Sequence, residues 1–312
     1  MYICSINLFR MKKIYFIITF LVLLSGCSKD ASDTLRVADI SFDISRSAEL
    51  LQKDVSMKTA FIDNDKVGVF ANDSQSQWSF SRGKWTATEP FFWSDNNKVS
   101  FCAYYPYYTA ATLDSVPMPS LLGQTGSELD MISRDFITGR RTLSFIDNNG
   151  NVEFNGSNAL AHQYAMLVLT IRSSLPNAKA TFDSVTIEGK SLFNSAYYSF
   201  TDQLVHVSPN ENQNKLYVKS SNFPTITEGR NYLLFKILVN PLTLDTHPMV
   251  TLGYVYNGKC YNITTDKLTK EFKSGFYYKY DLLINTKGEL TVTGIEVNGR
   301  QEILLPNIVL PE

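Results

Sequence analysis

Apolar and polar residues alternate along most of this chain, in short runs closed by turn residues. In "RVADISFDISR", Ala38, Ile40, Phe42 and Ile44 fall on one face, while Asp39, Ser41 and Asp43 fall on the other. That period of two is the mark of a half-buried strand. "DKVGVFAND" reads as a short strand ended by Asn-Asp. "KVSFCAYYPY" places Val99, Phe101, Ala103 and Tyr105 on one face and stops at Pro106. "YAMLVLTIR" is apolar on both faces, which predicts a central strand, and "YLLFKILVNP" predicts another long one. In "TLGYVYNGKCYNIT", Asn257-Gly258 suits a two-residue type I′ turn, whose central positions both need positive φ. The resulting register pairs Tyr256 with Lys259, Tyr254 with Tyr261, and Leu252 with Ile263. "FYYKYDLLIN" and "ELTVTGIEV" follow as strands, with a bulge expected at Gly294, where the alternation slips. Helix signals are few: "SAELLQKDV" (47–55) predicts two turns, and "ITTDKLTKEF" a loop or short helix. The pattern predicts an all-β protein.

The amino-terminal stretch breaks this style. Ile14 to Leu24 is almost wholly apolar and follows Lys12-Lys13. Such a run is too short to span a bilayer, which needs ~20 residues, and it reads as the core of a secretory signal with Met11 as its start. Leu24-Ser25-Gly26-Cys27 fits a lipobox. Residues 1–26 are then a signal peptide, and Cys27 becomes the lipidated first residue of the mature chain. One acyl chain holds only marginally, but several hold for practical purposes permanently. Residues 27–35 form a lipidated tether. The remaining length suits two medium domains. The turn cluster "DNNGN" (147–151) places the boundary there, giving an N-terminal β-sandwich over 36–150 and a C-terminal one over 151–312.

Composition adds 17 Tyr and 20 Phe, which favour strands, and a near balance of 29 basic against 30 acidic residues. That balance carries no electrostatic footprint for nucleic acid. His162, His206 and His247 lack metal-ligand spacing, so no metal is expected. No Gly-x-Ser-x-Gly elbow and no phosphate loop occurs, and no pair of carboxylates stands out. The expectation is a non-enzymatic protein without a cofactor. "DNDK" (63–66) has too few ligands for an EF-hand and reads as a turn. Cys102 and Cys260 are expected as two buried free thiols, with an interdomain disulfide as the alternative in an oxidising compartment. "SQWSFSRGKWTATEPFFW" is dense in aromatics. Trp78 and Trp85 are either hairpin packing or a wet platform on which a sugar stacks.

Several of these stretches line up with one family. "DKVGVFA", "KVSFCAYYPY", "SELDMISRDF", "LAHQYAMLVLTI" and "FKSGFYYKYDLLIN" occur in the order found in fimbrillin-like proteins of Bacteroidales, which the mature chain resembles over nearly its whole length. The resemblance implies two tandem transthyretin-like β-sandwich domains. It also implies a lipid-anchored, surface-exposed subunit exported to the outer membrane, which polymerises, caps or anchors a fimbria. His162 falls where the resemblance puts a structural histidine. In shaft subunits of the family a protease cuts after an arginine near the first strand, and a neighbour's carboxyl-terminal strand fills the groove. Arg46, just past Ile44, is the best candidate cut site; the alternative is a solvated loop residue. The donor would be the apolar stretch near residue 312, with Ile303, Leu305, Ile308 and Leu310 as anchors and Pro306 limiting ladder bonds. The alternative is a last strand covering its own domain. Asp33-Thr34-Leu35 resembles the O-glycosylation sequon of Bacteroidota envelopes, which makes Thr34 a candidate acceptor; Asp114-Ser115-Val116 and Asp183-Ser184-Val185 share the pattern. Expected partners are other fimbrial subunits, the outer membrane through the lipid anchor, and a host or bacterial surface glycan or protein. A competing reading is a surface lipoprotein that binds a glycan or host ligand.

Overall fold

The computed structural model describes residues 36–44, 58–175, 180–190, 192–208, 215–219, 225–226 and 232–298. Nearly all regular structure among them is strand. The expected helix at 47–55 lies outside these residues.

The first unit is built on a six-stranded sheet with the order Ala161–His162, Ile137–Leu143, Val99–Tyr105, Lys66–Ala71, Ser74–Ser81, Lys84–Ala87. Its inner face carries Val67, Val69, Phe101, Ala103 and Ile137, all buried. Two short two-stranded pieces cover that face. Asp39–Phe42 runs parallel to Asn151–Phe154, and Arg36–Val37 runs antiparallel to Phe92–Trp93. The second unit packs a four-stranded sheet (Leu233–Val239, Ala165–Ser173, Tyr277–Ile284, Leu290–Asn298) with a sheet led by Lys215–Lys219, Ala180–Glu188, Met249–Tyr256 and Lys259–Thr265.

Several local expectations match residue for residue. Ala165–Ser173 is central, flanked by strands on both sides. The hairpin register is Tyr256 with Lys259, Tyr254 with Tyr261, Leu252 with Ile263. Asn257 and Gly258 have φ of 50° and 73°, as the type I′ turn requires. The register shift after Asp281 falls opposite Gly294. A Cβ there would sit 2.9 Å from Asp281 Oδ2, so a side chain at this bulge would push the Asp281 carboxylate aside.

One expectation needs correction. The turn cluster 147–151 does not end the first unit. Asn149 and Gly150 take positive φ, and Gly150 N donates to Phe145 O at 2.8 Å. The chain is thereby sent back into the same unit as Asn151–Phe154, and Ala161–His162 then joins the six-stranded sheet. The change of core comes after His162. A strong turn signal marks a reversal, and a reversal is not a domain end. The two sandwiches also share a core. The outer face of the six-stranded sheet carries Phe70, Cys102 and Tyr104, which belong to the same core as the second unit. Phe70 meets Phe200 at 6.3 Å and Phe136 meets Tyr198 at 6.1 Å across this junction.

Gly68 makes this two-faced packing work. A Cβ on it would lie 2.2 Å from Cζ of Tyr104, so the ring rests directly on the glycine backbone. The Tyr104 hydroxyl donates to Tyr108 O at 2.8 Å. Burial raises its pKa to about 12, and burial does the same for Tyr278. Unfolded tyrosines ionise near about 10. A raised folded pKa gives stability that is complete below the unfolded value and lost as pH climbs through the folded one. Stability should therefore decline between pH 10 and 12, with tyrosinate absorbance appearing together with loss of strand signal in circular dichroism. A gradual rise in absorbance over a still-folded chain would contradict this.

The unexpected helix Glu128–Arg134 is capped by Ser127, whose side chain accepts from Asp130 N. In "ITTDKLTKEF", Ile263, Thr264 and Thr265 end the strand Lys259–Thr265, and a loop over 266–270 leads to the strand Glu271–Phe272. Both Cys102 and Cys260 are free, but only Cys102 is buried; Cys260 is exposed on Lys259–Thr265. Burial also raises the Cys102 thiol pKa, which keeps the nucleophilic thiolate scarce. Of these two, Cys260 should react with Ellman's reagent in the native protein, and Cys102 only after denaturant is added.

Candidate functional site: the slot of the amino-terminal strand

Residues 36–44 lie across the first unit as a strap. The expected alternation holds: Ala38, Ile40, Phe42 and Ile44 are buried, and Asp39, Ser41 and Asp43 are exposed. Its backbone is tied on two sides. Ala38 N donates to Phe91 O at 2.8 Å, Asp43 N to Phe154 O at 2.7 Å, and Leu160 N to Asp43 O at 2.8 Å. Ile44 bridges Leu160. Asn151–Phe154 has no other strand partner among the described residues.

The socket for Phe42 is aromatic. Its ring stacks on Phe154 at 5.5 Å and meets Trp85 edge-on at 4.7 Å and Trp78 at 6.2 Å. Trp85 is held in turn by Phe61 at 4.9 Å and Phe80 at 5.0 Å. Edge-to-face contacts of this kind add to plain area burial. At the strap's start, Arg36 lies over the Phe145 ring at 4.3 Å, and Trp93 Nε1 donates to Gly150 O at 3.0 Å.

These contacts decide the aromatic stretch. Trp78 is 4% exposed and Trp93 5%, while Trp85 is half-buried against Phe42. The rings line the slot and do not form a wet pair, so of the two readings of Trp78 and Trp85 the burial supports packing. Trp78 Nε1 has no hydrogen-bond partner among the described residues. Cys27, Thr34, Arg46, Ile303, Leu305, Ile308 and Leu310 lie outside the described residues. No group of three His, Cys, Asp or Glu among the described residues is placed to hold a metal.

A buried polar knot beside the slot is absent from the sequence expectations. Lys58 is the first described residue after the strap. Its backbone N donates to Asp135 Oδ2 at 2.9 Å, and its ammonium pairs with Asp65 Oδ2 at 2.8 Å. Tyr105 OH donates to Asp65 Oδ1 at 3.1 Å, and Ile62 N to Asp65 Oδ2 at 2.7 Å. His162 Nδ1 sits 2.8 and 3.1 Å from the Asp135 oxygens. The turn expected at 63–66 is present, with Asn64 at positive φ, but Asp65 within it has this second role. No spacing in the sequence links Lys58, Asp135 and His162. Only the six-stranded sheet brings them together.

Two fused sandwiches, the first closed by a short strap over an aromatic slot, define an all-β protein. Residues 55–299 match the fimbrillin-like family model, and the chain belongs to that family. Among solved structures it is similar to a candidate cell adhesion protein of Bacteroides ovatus, with 14% identity and a TM-score of 0.62 over 85% of this chain and 98% of that one. A candidate cell adhesion protein of Bacteroides uniformis gives 15% and 0.56 over 86% and 99%. A fimbrial protein of Bacteroides vulgatus gives 14% and 0.56 over 85% and 100%. At these identities the likeness is one of fold. No curated protein matches the chain.

Proposed function

We propose that this chain is a non-enzymatic cell-surface fimbrial subunit, or the anchor or tip of a fimbria, that assembles by β-strand complementation and contributes to adhesion. The observation that carries the reading is the strap. One short segment supplies four alternate apolar side chains to a slot, and it is the sole strand partner of Asn151–Phe154 among the described residues. Removing it would leave unpaired backbone groups at an open strand edge and bare the rings around Phe42. An unsatisfied buried polar group costs about 1–3 kcal/mol, so the edge favours a replacement strand. Arg46 lies two residues past Ile44, where a cut would free the strap. The family membership and the described roles of the similar structures agree with this reading. Acylated Cys27 would hold the uncut chain at the outer membrane, exposed at the surface, and Ile303, Leu305, Ile308 and Leu310 would serve a neighbouring subunit.

The amino-terminal residue of the protein recovered from cells separates the roles. An acylated Cys27 identifies an anchored, uncut chain, and Ser47 identifies a processed one. A trypsin-like nick after Arg46 should be followed by filaments in electron micrographs. Nicked protein that stays monomeric would count against a shaft role.

A further inference from the structure

We propose that Lys58 and Asp65 are a self-modifying pair: the lysine amine condenses with the aspartate carboxyl, joining the two side chains through an isopeptide bond with loss of one water. Neither strand exchange nor lipidation enters into it.

The two groups meet in a dry place. Lys58 is 3% exposed and Asp65 9%, with Nζ 2.8 Å from Oδ2. A C–O bond adds about 1.2 Å, so Nζ lies no further than about 4 Å from the carboxyl carbon, close to the ~3–3.5 Å of a near-attack geometry. The rings of Tyr105 and Phe61 stand over the nitrogen at 4.6 and 5.8 Å and close that side with apolar surface. Ring faces favour the charged amine, but desolvation acts the other way. A buried ion pair escapes its desolvation cost by passing a proton from nitrogen to oxygen, which leaves an amine and a carboxylic acid, the forms that condense. The pairs Lys190–Asp245 and Lys215–Glu188, by contrast, are exposed on both sides, and hydration holds them as ions.

Asp65 is held for the attack. Tyr105 OH donates to its Oδ1 at 3.1 Å and Ile62 N to its Oδ2 at 2.7 Å. Burial first, and then the Asp65 charge, push the Tyr105 phenol well above its usual range, so it remains a donor. The Lys58 backbone is pinned from the other side, its N–H on Asp135 Oδ2 at 2.9 Å. The ammonium passes one proton to Oδ2 of Asp65. The freed amine attacks the carboxyl carbon, and negative charge gathers on Oδ1, where the Tyr105 hydroxyl stabilises it. A second proton moves from nitrogen to Oδ2, the bond from carbon to Oδ2 breaks, and water departs. One C–N bond replaces one C–O bond, the two charges cancel, and no oxidant, reductant or cofactor is consumed. The product is a covalent loop over 58–65, closed at the start of the strand Lys66–Ala71.

The test uses the mature chain without its lipid, residues 28–312, kept folded and then denatured for mass spectrometry. It should be lighter than its sequence by one water. Trypsin should leave Lys58 uncut and yield the peptide 54–66 with that deficit and no backbone fragments from between residues 58 and 65. A chain of full mass that is cut after Lys58 would overturn the proposal. So would a water lost at Asp65 with Lys58 still cleavable, the mark of a succinimide. Lys58→Arg keeps the charge, forms no amide and should retain full mass; a deficit persisting there would reject the pair. Should that variant not fold, the parent's peptide 54–66 decides alone. Tyr105→Phe removes the donor to Oδ1 and should slow the appearance of the deficit in newly synthesised chain about a hundredfold. A parental rate would reject the part given to Tyr105.

Discussion

Phe42→Ala should destabilise the first unit by about 3–5 kcal/mol, the range for truncating a buried aromatic side chain. The upper part of that range is expected, because the site cannot close. Trp85 is fixed by Phe61 and Phe80, Phe154 belongs to the strand beneath, and Trp78 lies in the middle of Ser74–Ser81. The strap holds a chain segment near one end of the unit, so the loss should appear first as local detachment. Hydrogen exchange would show Asp39–Phe42 and Asn151–Phe154 losing protection together, since they are each other's ladder. Val37→Ala is the control. Val37 is 53% exposed, and truncating it within the same strap should change stability by less than about 0.5 kcal/mol. A Phe42→Ala protein as stable as the parent would mean that the strap does not seal the slot, and the assembly proposal would lose its physical basis.

The parts of this architecture that were legible in the sequence are those whose causes are local. The hairpin around Asn257-Gly258 was readable because two adjacent residues fix the turn and the turn fixes the register. The inward face of 38–44 was readable because every second residue is apolar and every other one is Asp or Ser. Gly294 was readable because a bulge shows itself as a slip in alternation. What stayed hidden depends on distant partners. Only one face of 99–105 was recognisable as core. Cys102 and Tyr104 on the opposite face are residue types at home both inside and outside, and the junction that buries them is formed by residues such as Phe200 and Val116. The aromatic stretch 78–93 could not be divided into core and surface by composition, because the strap that covers Trp78 and Trp85 lies some forty residues earlier in the chain. The helix Glu128–Arg134 did carry a local sign, Ser127 placed three residues before Asp130, which is a capping pattern. The return of 151–154 to the first unit had none, since parallel pairing with 39–42 leaves no trace at the turn.

Asp135→Ala should be comparably damaging, at about 2–6 kcal/mol. Asp135 is fully buried and accepts from two groups, the Lys58 backbone N–H and the His162 ring. Each donor left unsatisfied costs about 1–3 kcal/mol. The effect should also travel further than that of Phe42→Ala. His162 ends the first unit's sheet, its backbone oxygen lies 3.3 Å from where a Cβ on Gly275 would stand, and Gly275 N donates to Tyr164 O at 3.1 Å in the second unit. Lys58, the first described residue after the strap, pairs with Asp65. Loosening Asp135 therefore loosens the floor under the strap and the junction between the sandwiches together. Differential scanning calorimetry should show one transition moved to lower temperature for Asp135→Ala, whereas Phe42→Ala should broaden or split it. Asp135→Asn keeps one oxygen acceptor and should recover part of the loss. If Asp135→Ala melts like the parent, the knot is incidental.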